Sequence, residues 1–205
     1  MEDPLMSRLQ EKLQQRNLEP HRAAEIDAEV WEELGAERAV LVLDMSGFTR
    51  TTKEYGIVHF LAMHSKAMQL SESEIVDEGG VTIKRDADNL IALFDHSEAA
   101  VQAAIRIHRN VSAYNKGVEY ARQIGVCIGI SFGRILKTDL DVFGDAVNVA
   151  YKLGEDIADP WEILISDAAY AEIPRKQAEA YEFGRREEAI TGKVRLGFHR
   201  VVFSL

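Results

Sequence analysis

A chain of 205 residues, 46% of them hydrophobic, is long enough for one well-buried domain with an appendage and too short for two ordinary domains. The formal net charge of −10 argues against nucleic acid or an anionic membrane surface as a partner, because both attract basic proteins. No apolar run approaches the roughly 18 residues of a membrane helix, and the segment after Met1 lacks the pattern of a secretory leader. We therefore expect no membrane insertion and a cytoplasmic location.

The first predicted elements are two short amphipathic helices. Apolar residues at helical spacing occupy residues 5–16 and 21–34, with Pro20 between the two segments and Gly35 after the second. We interpret residues 1–36 as an N-terminal helical appendage and residues 37–205 as the main domain.

The main domain begins with a continuous apolar run at residues 39–43, which predicts a central strand that ends at Asp44. A helix is predicted at about residues 58–77, followed by hairpin strands at 81–84 and 89–94 around a turn at 85–88. A helix from Ser97 to about residue 114, strands near 123–130 and 134–138, a helix at about 145–153 and a strand at 162–165 complete the pattern. This order predicts an α+β fold, a ferredoxin-like βαββαβ sheet with helices on one face.

Two acidic residues stand where strands end. Asp44 precedes a turn of small residues, Ser46 and Gly47, whose backbone can approach a phosphate, and Asp88 lies in the hairpin turn. Taken alone, Asp44 is equally typical of a helix cap, and an acid in a turn, such as Asp88, is usually just a turn former. If the two strands are neighbours, the two carboxylates meet at one edge of the sheet and can hold two divalent ions against a triphosphate.

The most specific segment covers residues 141–152. Asn148 and Lys152 lie four residues apart, so they share one face of the predicted helix beside Val147 and Ala150. Cys127, the single cysteine, lies in an apolar run and is predicted to pack as a small hydrophobe.

Three segments together resemble the class III adenylyl and guanylyl cyclases. They are Leu-Asp-Met-Ser-Gly-Phe-Thr at residues 43–49, Lys-x-x-x-Asp at 84–88 and Phe-Gly-Asp-x-Val-Asn-x-Ala at 143–150. The resemblance covers about residues 38–205 and implies an enzyme that converts ATP to cyclic AMP and pyrophosphate in a homodimer with shared sites. The short segment between residues 133 and 141 is similar to that of the class IIIc, or short-arm, subgroup.

The resemblance also implies a role for each acid and for the purine-reading pair. Asp44 and Asp88 correspond to the acids that bind two divalent metal ions, Mg²⁺ or Mn²⁺. Lys84 and Asp141 correspond to the pair that reads adenine, and guanylyl cyclases carry Glu at the position of Lys84. A lysine donor suits adenine N1 and an aspartate acceptor suits the exocyclic amine, so we expect ATP as the substrate.

The remaining site residues follow from the same resemblance. Asn148 corresponds to the residue that orients the ribose and Lys193 to the lysine that binds the triphosphate, while Phe48 and Thr49 are further candidates for substrate binding. Lys152 stands where the family has an arginine that stabilises the transferring phosphoryl group, and an ammonium does not reproduce the planar guanidinium.

Two alternatives to an active cyclase remain open. The lysine at position 152, and Ala87 where relatives carry glycine, are compatible with a catalytically silent ATP-binding regulatory protein. A pure interaction module that uses the N-terminal helices rests only on their amphipathic spacing.

Overall fold

The N-terminal segment forms a pair of helices in the computed structural model, which describes residues 3–86, 88–174 and 181–205; the expectation about Ala87 lies outside them. Helix α1 (Pro4–Leu18) and helix α2 (Ala23–Leu34) are joined by a 3₁₀ turn, so both predicted helices are confirmed. Leu9, Val30 and Leu34 are buried between them and pack with Leu136 of the main domain.

A mixed sheet forms the centre of the main domain. Its strands are β1 (Gly35–Met45), β2 (Val81–Asp86), β3 (Asn89–Phe94), β4 (Val126–Lys137), β5 (Val142–Phe143), β6 (Ile163–Ser166), β7 (Glu182–Phe183), β8 (Glu187–Thr191) and β9 (Val194–Val202). The order is β2-β3-β1-β4-β6-β9-β7, with β5 beside β4 and β8 beside β9. Strands β4 and β6 are parallel, and β1 is antiparallel to both β3 and β4. The first four strands have the ferredoxin-like order, which confirms the predicted α+β fold.

Helices cover both faces of this sheet. On one face, Leu41 and Leu43 of β1 pack in the larger core beneath α4 (Ile57–Asp77) and α5 (Ser97–Asn115). On the other face, Val40 and Val42 pack against α6 (Asp145–Tyr151). The prediction of helices on a single face is wrong for α6, because successive β1 side chains are apolar on both sides and both sides need a cover.

Several boundaries differ from the sequence prediction. A short helix α3 (Phe48–Tyr55) precedes α4, and Gly56, at φ +87°, separates the two. The two strands expected near 123–130 and 134–138 form the single strand β4. Helix α6 ends at Tyr151 and continues as a π-helical turn, Lys152–Ile157, and helix α7 (Asp167–Glu172) follows β6.

Two glycines let α6 and the π-helical turn lie directly on the sheet. A Cβ atom on Gly129 of β4 would lie 2.2 Å from the Ala150 carbonyl oxygen and 2.4 Å from the Gly154 backbone nitrogen. A Cβ on Gly154 would lie 2.9 Å from the Gly129 nitrogen and 3.0 Å from the Val42 oxygen. This close approach sets the position of the helix that carries Asn148.

Candidate active site

The structure brings the two predicted metal-binding acids together. Asp44 is near the end of β1 and pairs across the ladder with Asn89 of β3, whose chain neighbour is Asp88 in the β2–β3 turn. Burial, together with the nearby negative charges of Asp88 and Glu155, raises the pKa of Asp44 to about 7. The carboxylates are therefore close enough to repel one another, which is the situation that a divalent cation relieves.

The ligand types around Asp44 suit a hard divalent cation. The amide oxygen of Asn89, a residue only 8% exposed, is buried and has no hydrogen-bond partner within the described part of the chain. Carboxylate and carboxamide oxygens are the ligands that Mg²⁺ prefers, together with water and phosphate oxygens. Within residues 3–86, 88–174 and 181–205, no group of three or more His, Cys, Asp or Glu side chains could hold an ion. The two carboxylates and the Asn89 amide oxygen are of the ligand types that such a cation accepts.

Cys127 is the neighbour of Asp44 on the other side of β1. It pairs with Asp44 across the β1–β4 ladder and is 4% exposed, which confirms the predicted packing of its thiol. Burial raises the pKa of Cys127 to about 12, with further contributions from Asp44 and other nearby acids. Burial therefore favours the protonated thiol.

Lys84 and Asp141 form an ion pair. The Lys84 ammonium of β2 lies 3.2 Å from Asp141 Oδ2, and both side chains are partly buried. The other carboxylate oxygen, Oδ1, accepts a hydrogen bond from the Val142 backbone N–H at 2.9 Å. A basic donor and a fixed acidic acceptor thus stand side by side, although 57 residues separate them in the chain.

Asn148 and Lys152 line one cleft of about 330 Å³ between α6, the π-helical turn and β9. The Lys152 ammonium donates to the Thr191 hydroxyl at 3.4 Å and lies 3.7 Å from Asp156 Oδ2. Thr191 in turn donates to Asp156 at 2.8 Å. The Lys152 ammonium is thus hydrogen-bonded at the end of β8, on the side of Asp156.

The other three candidate residues lie at the surface. Lys193 is exposed in the β8–β9 turn, beside Val194, which lines the cleft. The Phe48 ring is 42% exposed and packs edge-on against Phe60, with 4.6 Å between ring centroids. Thr49 is exposed in the first turn of α3.

Comparison with known proteins identifies the fold. No family model matches the chain. A curated protein of Rhizobium meliloti (strain 1021), named "Putative adenylate cyclase 3", is 30% identical over 133 residues, which are 64% of this chain and 22% of that protein. The structure of an adenylate/guanylate cyclase/hydrolase from Silicibacter pomeroyi is 26% identical and superimposes with a TM-score of 0.68 over 83% of this chain and 98% of that one. The adenylyl cyclase CyaB from P. aeruginosa, 20% identical, has a TM-score of 0.67 over 83% and 97% of the two chains. The chain therefore has the fold of adenylyl and guanylyl cyclase catalytic domains.

Several groups near the candidate site were not predicted from the sequence. Two of them lie near Asp44: Asn89 pairs with it across the ladder, and the charge of Glu155 acts on it. Two more, Asp156 and Thr191, contact the Lys152 ammonium. Glu155 and Asp156 follow Lys152 by three and four residues, which is a helical spacing that could have indicated them. Thr191 could not be found in this way, because β8 approaches the cleft only in the folded chain.

None of the helices in the described residues is both long and apolar enough to cross a membrane.

Proposed function

We propose that the protein is an adenylyl cyclase that converts ATP to cyclic AMP and pyrophosphate in a homodimer. The relatives named for adenylyl and for adenylate/guanylate cyclase activity support cyclase chemistry. The observation that carries the choice of ATP is the 3.2 Å pair of Lys84 and Asp141.

This pair matches adenine and not guanine. Adenine offers an acceptor at N1 and a donor at its exocyclic amine, which suit the Lys84 ammonium and the Asp141 carboxylate. In the same orientation, with N1 facing Lys84 and the C6 substituent facing Asp141, guanine offers a donor at N1 and an acceptor at O6, so both protein groups would face a group of their own kind. A site built from buried or partly buried polar groups discriminates strongly against such a mismatch, because the groups lose their partners.

The other residues orient the nucleotide for an in-line displacement. The ribose 3′-oxygen forms a bond to the α-phosphorus, the bond from that phosphorus to the β-phosphate oxygen breaks, and the hydroxyl proton is released to water. Asn148 would orient the ribose, Lys152 would oppose the charge on the transferring phosphoryl group, and Lys193 would bind the triphosphate. Phe48 and Thr49 would border the triphosphate near Asp44.

Asp44 and Asp88 would hold two divalent metal ions, Mg²⁺ or Mn²⁺. When bound, the ions supply Lewis-acid stabilisation of the phosphate charge. The protein would contribute the two carboxylates on adjoining segments and the amide oxygen of Asn89, which has no hydrogen-bond partner among the described residues.

The homodimer completes the site in this proposal. Within one chain, Asp44 and Asp88 do not line the cleft that holds Asn148 and Lys152, although Glu155 lies in that cleft and acts on Asp44. A two-fold symmetric dimer would join the metal acids of one copy to the Asn148 cleft of the other, twice. We also propose a cytoplasmic location and a boundary between the N-terminal helical appendage and the main domain at residues 36 and 37. We further propose that the chain belongs to the short-arm subgroup, which the four-residue connection 138–141 between β4 and β5 supports.

A catalytically silent ATP-binding regulatory protein is the second candidate. The observation that favours it is the attachment of the Lys152 ammonium to Thr191 and Asp156, because a cation already neutralised contributes less to a transition state.

The purified protein should form cyclic AMP from ATP, and far less cyclic GMP from GTP, when Mn²⁺ or Mg²⁺ is added. Lys84→Met should abolish the preference for ATP, whereas Lys116→Met, at an exposed lysine away from the site, should retain it. Binding of ATP and Mn²⁺ by calorimetry without any cyclic product would reject the enzyme and favour the silent regulator.

A further inference from the structure

The residue that caps the first helix also contacts the turn that carries Asp141. Asp3 Oδ1 accepts hydrogen bonds from the backbone N–H groups of Met6 at 2.8 Å and Asp139 at 3.4 Å. Asp3 Oδ2 accepts from the Leu140 N–H at 3.0 Å. One carboxylate thus connects the start of α1 to the β4–β5 turn, 137 residues away along the chain.

We propose that Asp3 is a positioning residue for adenine recognition, which holds the β4–β5 turn so that the Asp141 carboxylate stays against Lys84. This inference rests on the proposed function, since it assigns Asp141 to the nucleotide base. It gives the N-terminal helices a task that neither the fold nor the cyclase comparison assigns to them.

Among the described residues, the other hydrogen bonds of the turn, apart from those of the Asp141 carboxylate, lie within the turn itself. Inside it, the Asp141 N–H donates to Thr138 Oγ1 at 3.0 Å and the Thr138 N–H donates to the Asp141 carbonyl at 2.9 Å. Strand β5, which follows, has only two residues and pairs with the end of β4 alone. Asp3 binds the two central amide groups of the turn from outside, at the residues directly before Asp141.

Asp3 is itself held in place by the packing of the helices. Leu136, near the end of β4, packs with the buried leucines of α1 and α2. The Arg134 guanidinium lies 4.4 Å from the ring centroid of Trp31 in α2, a cation–π contact. Partial desolvation raises the pKa of Asp3, but its hydrogen bonds with the backbone amide groups and with the Thr138 side chain outweigh this and hold the pKa below its ordinary value.

A displacement of α1 relative to β4 therefore changes the position of the Asp141 carboxylate. In the undisplaced arrangement, one Asp141 oxygen faces Lys84 and the other is fixed by its own backbone. Loss of the Asp3 contact frees the turn, and ATP must then order it on binding, which lowers affinity without altering the phosphoryl chemistry.

Asp3→Asn separates this role from helix capping. Asparagine caps a helix as well as aspartate does, so α1 keeps its Met6 contact, but an amide NH₂ replaces the oxygen that accepts from Leu140. We expect the KM and the dissociation constant for ATP to rise roughly three- to tenfold, the scale of one lost hydrogen bond, while kcat changes less than about twofold. Arg8→Gln, which removes only the exposed Arg8–Glu33 pair between α1 and α2, should leave both constants unchanged.

A double-mutant cycle and amide hydrogen exchange complete the test. Asp3→Asn should have no further effect on ATP affinity in an Asp141→Asn background, because the two residues act through one contact. Exchange at Asp139 and Leu140 should accelerate in Asp3→Asn, with far-UV circular dichroism unchanged. Unchanged exchange, unchanged ATP affinity, or an equal loss of affinity in the Asp141→Asn background would each overturn the inference. If the wild type forms no cyclic nucleotide, the proposed enzyme fails, and the ATP dissociation constants still decide the role of Asp3.

Discussion

Gly129→Ala should unfold the protein more easily and disable the site, because the added methyl group meets backbone on two sides. Its Cβ would lie 2.2 Å from the Ala150 oxygen, 2.4 Å from the Gly154 nitrogen and 2.9 Å from Leu153 Cβ. Overpacking of a close-packed interior costs about 1–3 kcal/mol, and we expect the upper end because these backbone atoms cannot rotate away. A loss of about 3 kcal/mol lowers the Tm of a chain of this size by about 6–12 °C.

The same change should reduce turnover beyond its effect on stability. Helix α6 must move away from β4 to admit the methyl group, and α6 carries Asn148 while the following turn carries Lys152. A shift of about 1 Å in groups that orient a substrate can cost about a hundredfold in rate. The assay is cyclic AMP formation at a temperature where circular dichroism shows the variant to be folded.

Gly133→Ala is the matched control on the same strand. Its Cβ would lie 3.4 Å from Ala146 Cβ, close to an ordinary contact, so its stability should stay within about 1 kcal/mol of the wild type. Equal melting temperatures for Gly129→Ala and Gly133→Ala would refute the reasoning about the helix–sheet contact.

Three further predictions concern the cation, the metal acids and the core. Lys152→Arg should raise kcat about tenfold, which corresponds to about 1.4 kcal/mol, and should change KM less. The reason is that a planar guanidinium can bind a phosphoryl group while still contacting Asp156. Steady-state kinetics measure both constants, and an unchanged kcat would contradict the prediction. Asp44→Asn and Asp88→Asn should each abolish Mn²⁺-dependent turnover and weaken Mn²⁺ binding in calorimetry without lowering Tm; normal turnover in either variant would reject the metal assignment. Burial lowers the pKa of His108 to about 4, so below about pH 6.5 the unfolded chain binds a proton that the folded chain does not. The free energy of unfolding, measured with urea, should therefore fall by about 3 kcal/mol between pH 7.5 and pH 4 because of this residue. His108→Leu should lack this contribution to the pH dependence.

The local elements of the fold were predictable where apolar patterns were strong. The run at residues 39–43 predicted the central strand, and the glycines after residue 78 predicted the end of α4. Helix α3 was not predicted, because the segment from Thr49 to Lys53 contains no apolar residue. The π-helical turn after Tyr151 depends on contacts with β4 and leaves no pattern of its own in the sequence.

The candidate site was predictable only in parts. The sequence made the meeting of Asp44 and Asp88 conditional on neighbouring strands, and the structure shows that β1 and β3 are paired. The Lys84–Asp141 contact came from the resemblance, since no local rule joins residues so far apart. The Asp3 contact was invisible, because a capping aspartate has the same sequence pattern whether or not it binds a distant turn.

Complementation between two inactive variants tests the proposed shared-site cyclase most directly. Asp44→Asn removes a metal acid and Asn148→Ala removes a ribose-orienting group, and each variant alone should form almost no cyclic AMP. Mixing them, with subunit exchange shown by a tag pull-down, should restore activity, because each heterodimer has one site with both groups intact. Mixed subunits that exchange but remain as inactive as the separate variants would contradict a site completed between two copies of the chain.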